Sequence, residues 1–183
     1  MSEKTTFAKD FVFKIVVIGD GAVGKSSLIR RYTEGSYQKE YIKTLGAQFF
    51  HYEQILGENK DIRCRLFFWD IAGQAEFKFM RPKFYHGAKA AIIVYDVTWK
   101  ETFDNINEWY KDLTENCGVL PTIIFANKCD LIDEAKYDNS AVETLVKQKN
   151  FLGYCLTSAK TGVRVHDAFK TIINHLVEKA MSQ

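Results

Sequence analysis

The sequence predicts an α/β fold: a doubly wound, mostly parallel sheet of six strands with one antiparallel edge strand and helices on both faces. Three observations predict it. Runs rich in β-branched residues alternate with helical periodicity along the 183-residue chain, as in parallel strands joined by helices. Residues 90–97 are almost continuously apolar, as in a strand covered on both faces. Strands at 48–55 and 62–70 are separated by the turn-forming residues 57–60, so they form a hairpin at the sheet edge.

The other elements follow from local patterns. Residues 11–18 are apolar and β-branched and indicate a buried first strand, and a helix follows the glycine-rich turn after it. Residues 34–46 lack periodicity and are predicted to be a loop. Residues 71–85 are predicted to be irregular, with Pro82 interrupting any helix there. The later predicted elements are a helix at 102–116, a strand at 122–126, a helix at 140–149, a strand at 151–156 and a final amphipathic helix at 165–177.

Composition indicates one globular domain. Residues 11–181 are long enough to bury a core, and residues 1–10 are expected to be a flexible extension. Hydrophobic residues make up 46% and charged residues 26%, and a net charge of +2 does not suggest nucleic acid as a partner. The sequence contains no C-x-x-C pair of the kind that binds zinc. It also contains no apolar run of the kind found in a signal peptide or a membrane span. We therefore expect a cytoplasmic protein, with peripheral attachment to intracellular membranes as the alternative.

Residues 19–26 read Gly-Asp-Gly-Ala-Val-Gly-Lys-Ser and fit the phosphate-binding pattern G-x-x-x-x-G-K-[ST]. A strand precedes the pattern and a helix follows it, so backbone N–H groups at a helix N-terminus point at an anion. Lys25 would reach the β- and γ-phosphates, and the Ser26 hydroxyl would bind Mg²⁺. The expected phosphate-binding residues are Gly21, Ala22, Val23, Gly24, Lys25, Ser26 and Ser27.

An acidic motif follows the third strand. Asp70 is placed to hold Mg²⁺, directly or through water, and Gly73 could bring its N–H close to the γ-phosphate. The carboxamide of Gln74 both donates and accepts, so it could orient an attacking water. In isolation D-x-x-G is a weak signal, since ordinary turns also have it.

Two motifs after the later strands indicate guanine recognition. The carboxylate of Asp130, in the motif Asn127-Lys128-Cys129-Asp130, could accept two N–H groups from one edge of guanine, which adenine does not offer. The stem of Lys128 can lie along the base. Ser158, Ala159 and Lys160 follow the strand at 151–156, where a backbone N–H could reach the guanine O6.

The order and spacing of these four motifs resemble those of the Ras-like small GTPases, and the Rab family most closely, over residues 11–181. Segments 69–74, 84–88 and 95–98 also look like Rab segments. The resemblance implies a P-loop NTPase fold of the small G-protein type. It also implies a molecular switch that binds GTP and GDP with Mg²⁺, slowly hydrolyses GTP, and regulates membrane or vesicle trafficking.

The resemblance adds residues that the patterns alone do not give. Thr44 matches the switch threonine that contacts Mg²⁺ and the γ-phosphate, Tyr37 the aromatic that packs on guanine, and Tyr41 the residue that covers the phosphates. The implied catalytic residues are Gln74, Lys25 and Thr44, and the implied metal ligands are Ser26, Thr44 and Asp70, the last through water. Phe49, Trp69 and Phe84 match an aromatic triad that faces effectors, although packing within the hairpin would equally explain them.

The family pattern implies partners, and departures from it limit which ones. Residues 34–46 contain no arginine, so we expect slow intrinsic hydrolysis that needs an arginine from a GTPase-activating protein. That protein, an exchange factor and effectors are expected at residues 37–50 and 71–86 of a monomer. Ile71, Ala75 and Pro82 depart from the usual Rab switch II.

The end of the chain and the activity leave alternatives open. The last residues contain no cysteine to prenylate, so either the chain is truncated or the protein lacks the usual lipid anchor, and we expect membrane binding only in the first case. One alternative is a GTP-binding interaction scaffold with negligible hydrolysis, and intact Gln74, Thr44 and Gly21 count against it. The other is a P-loop kinase or ATPase, against which Asp130 counts.

Overall fold

The described residues form six β-strands, and all six belong to one sheet. The computed structural model describes residues 7–38, 43–57 and 61–182. The strands are β1 (Lys9–Ile18), β2 (Ala47–Leu56), β3 (Ile62–Ile71), β4 (Ala90–Asp96), β5 (Thr122–Asn127) and β6 (Tyr154–Thr157). Their order is β2-β3-β1-β4-β5-β6. The β2–β3 pair is antiparallel and the other pairs are parallel, which confirms the predicted sheet and its edge.

Helices cover both faces of this sheet, as predicted. They are α1 (Lys25–Glu34), α2 (Arg81–Tyr85), α3 (Lys100–Asp104), α4 (Ile106–Cys117), α5 (Ser140–Lys149) and α6 (Val165–Met181). Helices α1 and α6 share one core, in which Tyr32 and Phe169 stack with their ring centroids 4.4 Å apart. Helices α4 and α5 contribute Trp109 and Leu145 to the core on the opposite face. Among the described residues, none of these helices is long and apolar enough to cross a membrane.

Strand β1 explains why the sheet has two cores. Successive side chains of a strand point to opposite faces, so Ile15 and Val17 join the core beneath α1 and α6, and Val16 and Ile18 join the other. The strand begins at Lys9, two residues before its predicted start, because Lys9 already pairs with β3. Because β1 is the third of the six strands in the sheet, the glycine-rich turn after it lies near the middle of the edge formed by the strand ends.

The helix predicted at residues 102–116 is two helices, α3 and α4. Asn105 lies between them with φ −76° and ψ −7°, and this ψ departs from the α-helical value of about −42°. Its side-chain amide donates to Asp20 Oδ2 over 2.7 Å. The break therefore brings a polar side chain of the helical layer to the glycine-rich turn.

The segment predicted to be irregular, residues 71–85, contains a 3₁₀ helix at Ala75–Met80 followed directly by α2. The expectation that Pro82 interrupts helix there was wrong. Pro82 is the second residue of α2, and Arg81 before it has helical angles of φ −54° and ψ −42°. Proline is tolerated in the first turn because its missing N–H would have no helical partner there.

Two other predicted boundaries differ from the structure or lie outside it. Strand β6 begins at Tyr154 rather than at residue 151, since Gly153 has φ +146° and does not continue a regular strand backwards. Phe151 is instead a buried core residue before the strand. Of the turn predicted at residues 57–60, residues 58–60 lie outside the described residues.

Candidate functional site

The glycine-rich turn joins β1 to α1 and is fixed by two glycines. Gly19 has φ +134°, and a Cβ built on it would lie 2.1 Å from the carbonyl oxygen of Val94. Gly24 has φ +100°, and a Cβ there would lie 2.3 Å from Asn127 Nδ2. Other side chains would require both a strained backbone and a displaced neighbour. The loop therefore packs tightly against the ends of β4 and β5.

Lys25 is a buried cation that the loop wraps around. Its Nζ donates to the carbonyl oxygens of Gly19 over 2.8 Å and Asp20 over 2.7 Å. Burial lowers the pKa of Lys25 to about 8, although the carboxylates of Asp70 and Asp20 act in the opposite direction. An anion bound beside this ammonium would favour its charged form.

Three oxygen-bearing side chains from three segments meet beside Lys25. Ser26 Oγ donates to Asp70 Oδ2, and Thr44 Oγ1 lies 3.2 Å from Ser26 Oγ and 3.4 Å from Asp70 Oδ2. Burial raises the pKa of Asp70, opposed by Lys25 and by the Ser26 and Thr44 hydroxyls. Asp70 Oδ1 is buried and has no hydrogen-bond partner among the described residues. Such a set of hard oxygen atoms suits Mg²⁺.

The segment after β3 lies directly on the glycine-rich turn. A Cβ on Gly73 would lie 2.3 Å from Asp20 C and from Gly21 N, so only glycine allows this approach. A Cβ on Gly21 would lie 3.4 Å from Gln74 Nε2. A side chain at position 21 would therefore crowd the Gln74 carboxamide.

Asn127 joins the turn to the loop after β6. Its Nδ2 donates to the Val23 carbonyl oxygen over 2.8 Å. Its Oδ1 accepts from the Ala159 backbone N over 3.2 Å and from Thr157 Oγ1 over 3.3 Å. Only 1% of Asn127 is exposed. Sequence reasoning placed Asn127 at the nucleotide, and the structure adds that it ties together the loops that line the site.

Asp130 lies within a 3₁₀ turn at Cys129–Leu131 and faces the last predicted motif. Its Oδ1 accepts from Ser158 Oγ over 2.6 Å, and Lys160 Nζ lies 3.8 Å from its Oδ2. Lys128 has φ +69°, and its Nζ lies 2.6 Å from Asp96 Oδ2. Both side chains of the motif are thus held by neighbours in defined orientations.

One cavity of about 580 Å³ unites these parts. Three of the predicted site residues do not line it and are fully buried: Val23, Asp70 and Ser158. Tyr41 lies outside the described residues. The predicted residues that line the cavity are Gly21, Ala22, Gly24, Lys25, Ser26, Ser27, Tyr37, Thr44, Gly73, Gln74, Asn127, Lys128, Asp130, Ala159 and Lys160.

Sequence reasoning missed two arginines of α1. Arg30 lines the cavity and donates to Gln38 Oε1. Arg31 donates from Nε to the Ala159 carbonyl oxygen over 2.8 Å and from Nη2 to that of Lys160 over 2.6 Å. The pair of arginines just after the glycine-rich turn is the only sequence signal for these contacts, and it does not say what they touch.

The predicted aromatic triad lies outside the cavity and forms a row. The ring centroids of Phe49 and Trp69 are 4.3 Å apart, and those of Trp69 and Phe84 are 6.1 Å apart. Phe49 is 57% exposed, and Lys14 Nζ lies 3.4 Å from the centroid of the Trp69 ring. The row is therefore partly open to solvent rather than enclosed within the hairpin.

Comparison with known proteins agrees with this geometry. The sequence profile of the Ras family matches residues 14–178. The chain is similar to Ras-related protein Rab-7L1 of Homo sapiens, with 34% identity over 178 residues that cover 94% of this chain and 86% of the relative. It is similar to Ras-related protein Rab-13 of Rattus norvegicus, with 35% identity over 173 residues that cover 94% and 83%. The resemblance predicted from the motifs is confirmed: the chain belongs to the Ras family and is a Rab-like small GTPase.

Proposed function

We propose that this protein is a switch that binds GTP and GDP with Mg²⁺, slowly hydrolyses GTP, and regulates membrane or vesicle trafficking through partners specific for the GTP state. One observation carries the proposal. A phosphate-binding loop, a threonine and a glutamine of two other segments, and an aspartate suited to guanine all line the same cavity of about 580 Å³. A nucleoside triphosphate fits this arrangement, with its phosphates at the loop and its base at the aspartate.

Guanine selectivity is assigned to Asp130. Its carboxylate would accept the two N–H groups on one edge of guanine, and adenine would leave this carboxylate without those donors. The hydrogen bond from Ser158 Oγ over 2.6 Å supports this role because it fixes the orientation of the carboxylate before the base arrives. A site that is built to accept hydrogen bonds from two donors strongly rejects a base that lacks those donors.

The oxygen atoms of Ser26, Thr44 and Asp70 fit Mg²⁺. Asp70 Oδ1, buried and without a hydrogen-bond partner among the described residues, supports a further polar ligand there. The two hydroxyls would bind the ion directly and Asp70 through water. When bound, Mg²⁺ would neutralise charge on the phosphates.

Hydrolysis is assigned to Gln74, Lys25 and Thr44. Gln74 would orient the attacking water, and the Thr44 backbone would help to hold it. Lys25 would stabilise charge that develops on the phosphate oxygens. Its Nζ donates to two backbone carbonyl oxygens of the phosphate-binding loop, and this position beside the loop supports the role. Residues 34–46 offer no arginine, so full rate would require one from a GTPase-activating protein, which contributes about 10³–10⁵-fold.

The partners would read the loops that contact the γ-phosphate. Residues 37–50 and 71–86 contain Thr44 and Gly73, which contact the phosphate only in the GTP state of the proposed cycle. The row of Phe49, Trp69 and Phe84 lies between these loops, and exposed aromatic side chains are good interface anchors. An exchange factor would act on the same face.

Nucleotide titration tests the proposal. Fluorescence titration with GDP and ADP analogues in Mg²⁺ should give at least about a thousandfold preference for guanine. Asp130→Asn should remove that preference, whereas Asp133→Asn, at an exposed aspartate of the following loop, should keep it. Equal affinity for both bases in the unmodified protein would contradict the proposal and favour an ATP-dependent enzyme.

A further inference from the structure

We propose that Arg81 is a positioning residue for Gln74, which it holds against the phosphate-binding loop through the helical layer. The inference rests on the proposed function, because it assumes that Gln74 orients the attacking water. Arg81 directly precedes Pro82, one of the residues at which the sequence departs from the Rab pattern of switch II. Nothing in the proposed hydrolysis scheme uses it.

Arg81 is buried among groups that fix its plane. Only 6% of the residue is exposed. Its Nη2 lies 3.3 Å from the carbonyl oxygen of Gly73 and 3.4 Å from that of Gln74. Its Nη1 lies 3.6 Å from Asp112 Oδ2, and its Cζ lies 3.8 Å from the centroid of the Trp109 ring. The guanidinium thus contacts both carbonyl groups that flank the Gln74 backbone.

Trp109 carries this attachment on to the phosphate-binding loop. Its Nε1 donates to Asp20 Oδ1 over 2.7 Å, and Asn105 Nδ2 donates to Asp20 Oδ2 over 2.7 Å. The face of one indole therefore supports Arg81 while its edge holds the loop. Gly73 also packs closely on the loop, since a Cβ built on it would lie 2.3 Å from Asp20 C. The backbone at Gly73 is held between the loop and the guanidinium.

The short helix α2 sets the position of Arg81. Pro82 occupies its first turn, and proline favours the start of a helix because its φ is fixed. Tyr85, at the end of α2, donates its hydroxyl to Asp112 Oδ2 over 2.8 Å. Both ends of α2 therefore bind the same carboxylate of α4. Pro82 thus favours the start of the helix that brings Arg81 and Tyr85 to Asp112.

Only arginine can make this set of contacts. A planar guanidinium stacks on an indole and presents several donors in its plane, whereas a lysine ammonium is a compact point charge. Arg81 does not line the cavity. It would act on the reaction through the backbone of Gln74, and the arginine that completes the site would still come from a partner.

Loss of Arg81 should slow hydrolysis and leave nucleotide binding intact. A displacement of a catalytic group by about 1 Å can cost about a hundredfold in rate. Arg81→Met should therefore lower the single-turnover rate of GTP hydrolysis about ten- to a hundredfold. The GDP dissociation rate should change less than about threefold, because Arg81 contacts the cavity-lining residues Gly73 and Gln74 through their backbone carbonyl oxygens and does not itself line the cavity. Arg81→Lys should recover little of the rate.

The experiment measures hydrolysis in two backgrounds. Arg81→Met and the control Lys83→Met, an exposed residue of the same helix, are each made in the parent chain and in Gln74→Ala. If Arg81 acts through Gln74, Arg81→Met has no further effect in the Gln74→Ala background, and Lys83→Met has none in either. An equal loss of rate in both backgrounds would overturn the proposal, as would a parent rate in Arg81→Met or Arg81→Lys.

Hydrogen exchange gives a readout independent of activity. With GDP bound, peptides over residues 73–80 should exchange at least about tenfold faster in Arg81→Met, and peptides over 19–26 should not change. Unchanged exchange over 73–80 would also overturn the proposal. A full hydrolysis rate in Gln74→Ala alone would instead refute the role of Gln74 in the proposed function, so the two failures are distinguishable. If Arg81→Met does not retain GDP, Arg81→Lys is read in the same way.

Discussion

Asn127→Ala should destabilise the protein far more than an ordinary loss of one hydrogen bond. Asn127 is 1% exposed, and its amide connects the phosphate-binding loop to the loop after β6. Its three bonds reach the Val23 carbonyl at 2.8 Å, the Ala159 backbone N at 3.2 Å and Thr157 Oγ1 at 3.3 Å. Alanine would remove all three while leaving the partners in place.

The magnitude follows from what is left unpaired. The Val23 carbonyl and the Ala159 amide would stay buried without a partner, and each such group costs about 1–3 kcal/mol. The Thr157 hydroxyl can rotate to another acceptor, so it adds little. The free energy of unfolding should fall by about 2–6 kcal/mol. For a domain of this size, each 1 kcal/mol lowers Tm by about 2–4 °C, which gives a loss of roughly 5–20 °C.

Urea unfolding measures this loss. Because bound nucleotide stabilises the folded state by mass action, midpoints are taken over a series of GDP concentrations and extrapolated to zero. Asn116→Ala is the control, since Asn116 is exposed and makes one bond, from Nδ2 to the Asp112 carbonyl oxygen over 2.7 Å. The control should lose less than about 0.5 kcal/mol. Equal midpoints for the two variants would refute the bridging role of Asn127.

Three further predictions follow from the same site. Asp130→Asn should weaken GDP binding at least about a hundredfold and favour xanthine nucleotides, and an unchanged guanine preference in competition titrations would contradict it. Gly21→Val should slow single-turnover hydrolysis at least about tenfold with little loss of GDP affinity, since even a Cβ would lie 3.4 Å from Gln74 Nε2; an unchanged rate would count against it. Burial lowers the pKa of Lys25 from 10.5 to about 8, so above pH 8 the unfolded chain binds more protons than the folded protein. The free energy of unfolding of the nucleotide-free protein should therefore rise by about 2 kcal/mol between pH 7 and 9.5, relative to Lys25→Met. Parallel urea midpoints for the two proteins over that range would show that the shift is absent.

Local patterns predicted the parts of the molecule that local physics controls. The helix at 140–149 has the predicted bounds, and the glycine-rich turn lies between a strand and a helix as expected. The two motifs after β3 and β5 could be placed because parallel strands end at the same edge of a sheet. Asp70 and Asn127 accordingly lie on opposite sides of the phosphate-binding loop.

Contacts between distant residues could not be predicted in this way. Trp109 and Asp20 are 89 residues apart, and no spacing rule links an indole to an acidic residue of a glycine-rich turn. The same long-range bonds explain the break at Asn105, which helical periodicity does not reveal. Pro82 shows the limit of a local rule, since the same residue that can interrupt a helix begins one here.

The effector surface also depends on packing that a pattern does not determine. Phe49 alternates with half-buried neighbours on β2, which suits either an interface or a covered sheet face. The structure leaves this ring 57% exposed, but its role as an anchor for effectors is a proposal. Substitution to alanine with a full nucleotide-binding assay would separate that role from any contribution to the fold.

Single-turnover hydrolysis tests the central claim most directly. Protein loaded with GTP is given Mg²⁺, and phosphate release is followed in the parent chain and in Gln74→Ala without any partner. The parent should release phosphate more slowly than about 1 s⁻¹, and Gln74→Ala should be at least about tenfold slower still. A rate of about 1 s⁻¹ or faster would contradict the need for an arginine from outside the chain. Equal rates for the two proteins would contradict the assignment of Gln74 as the residue that makes this nucleotide site a timed switch.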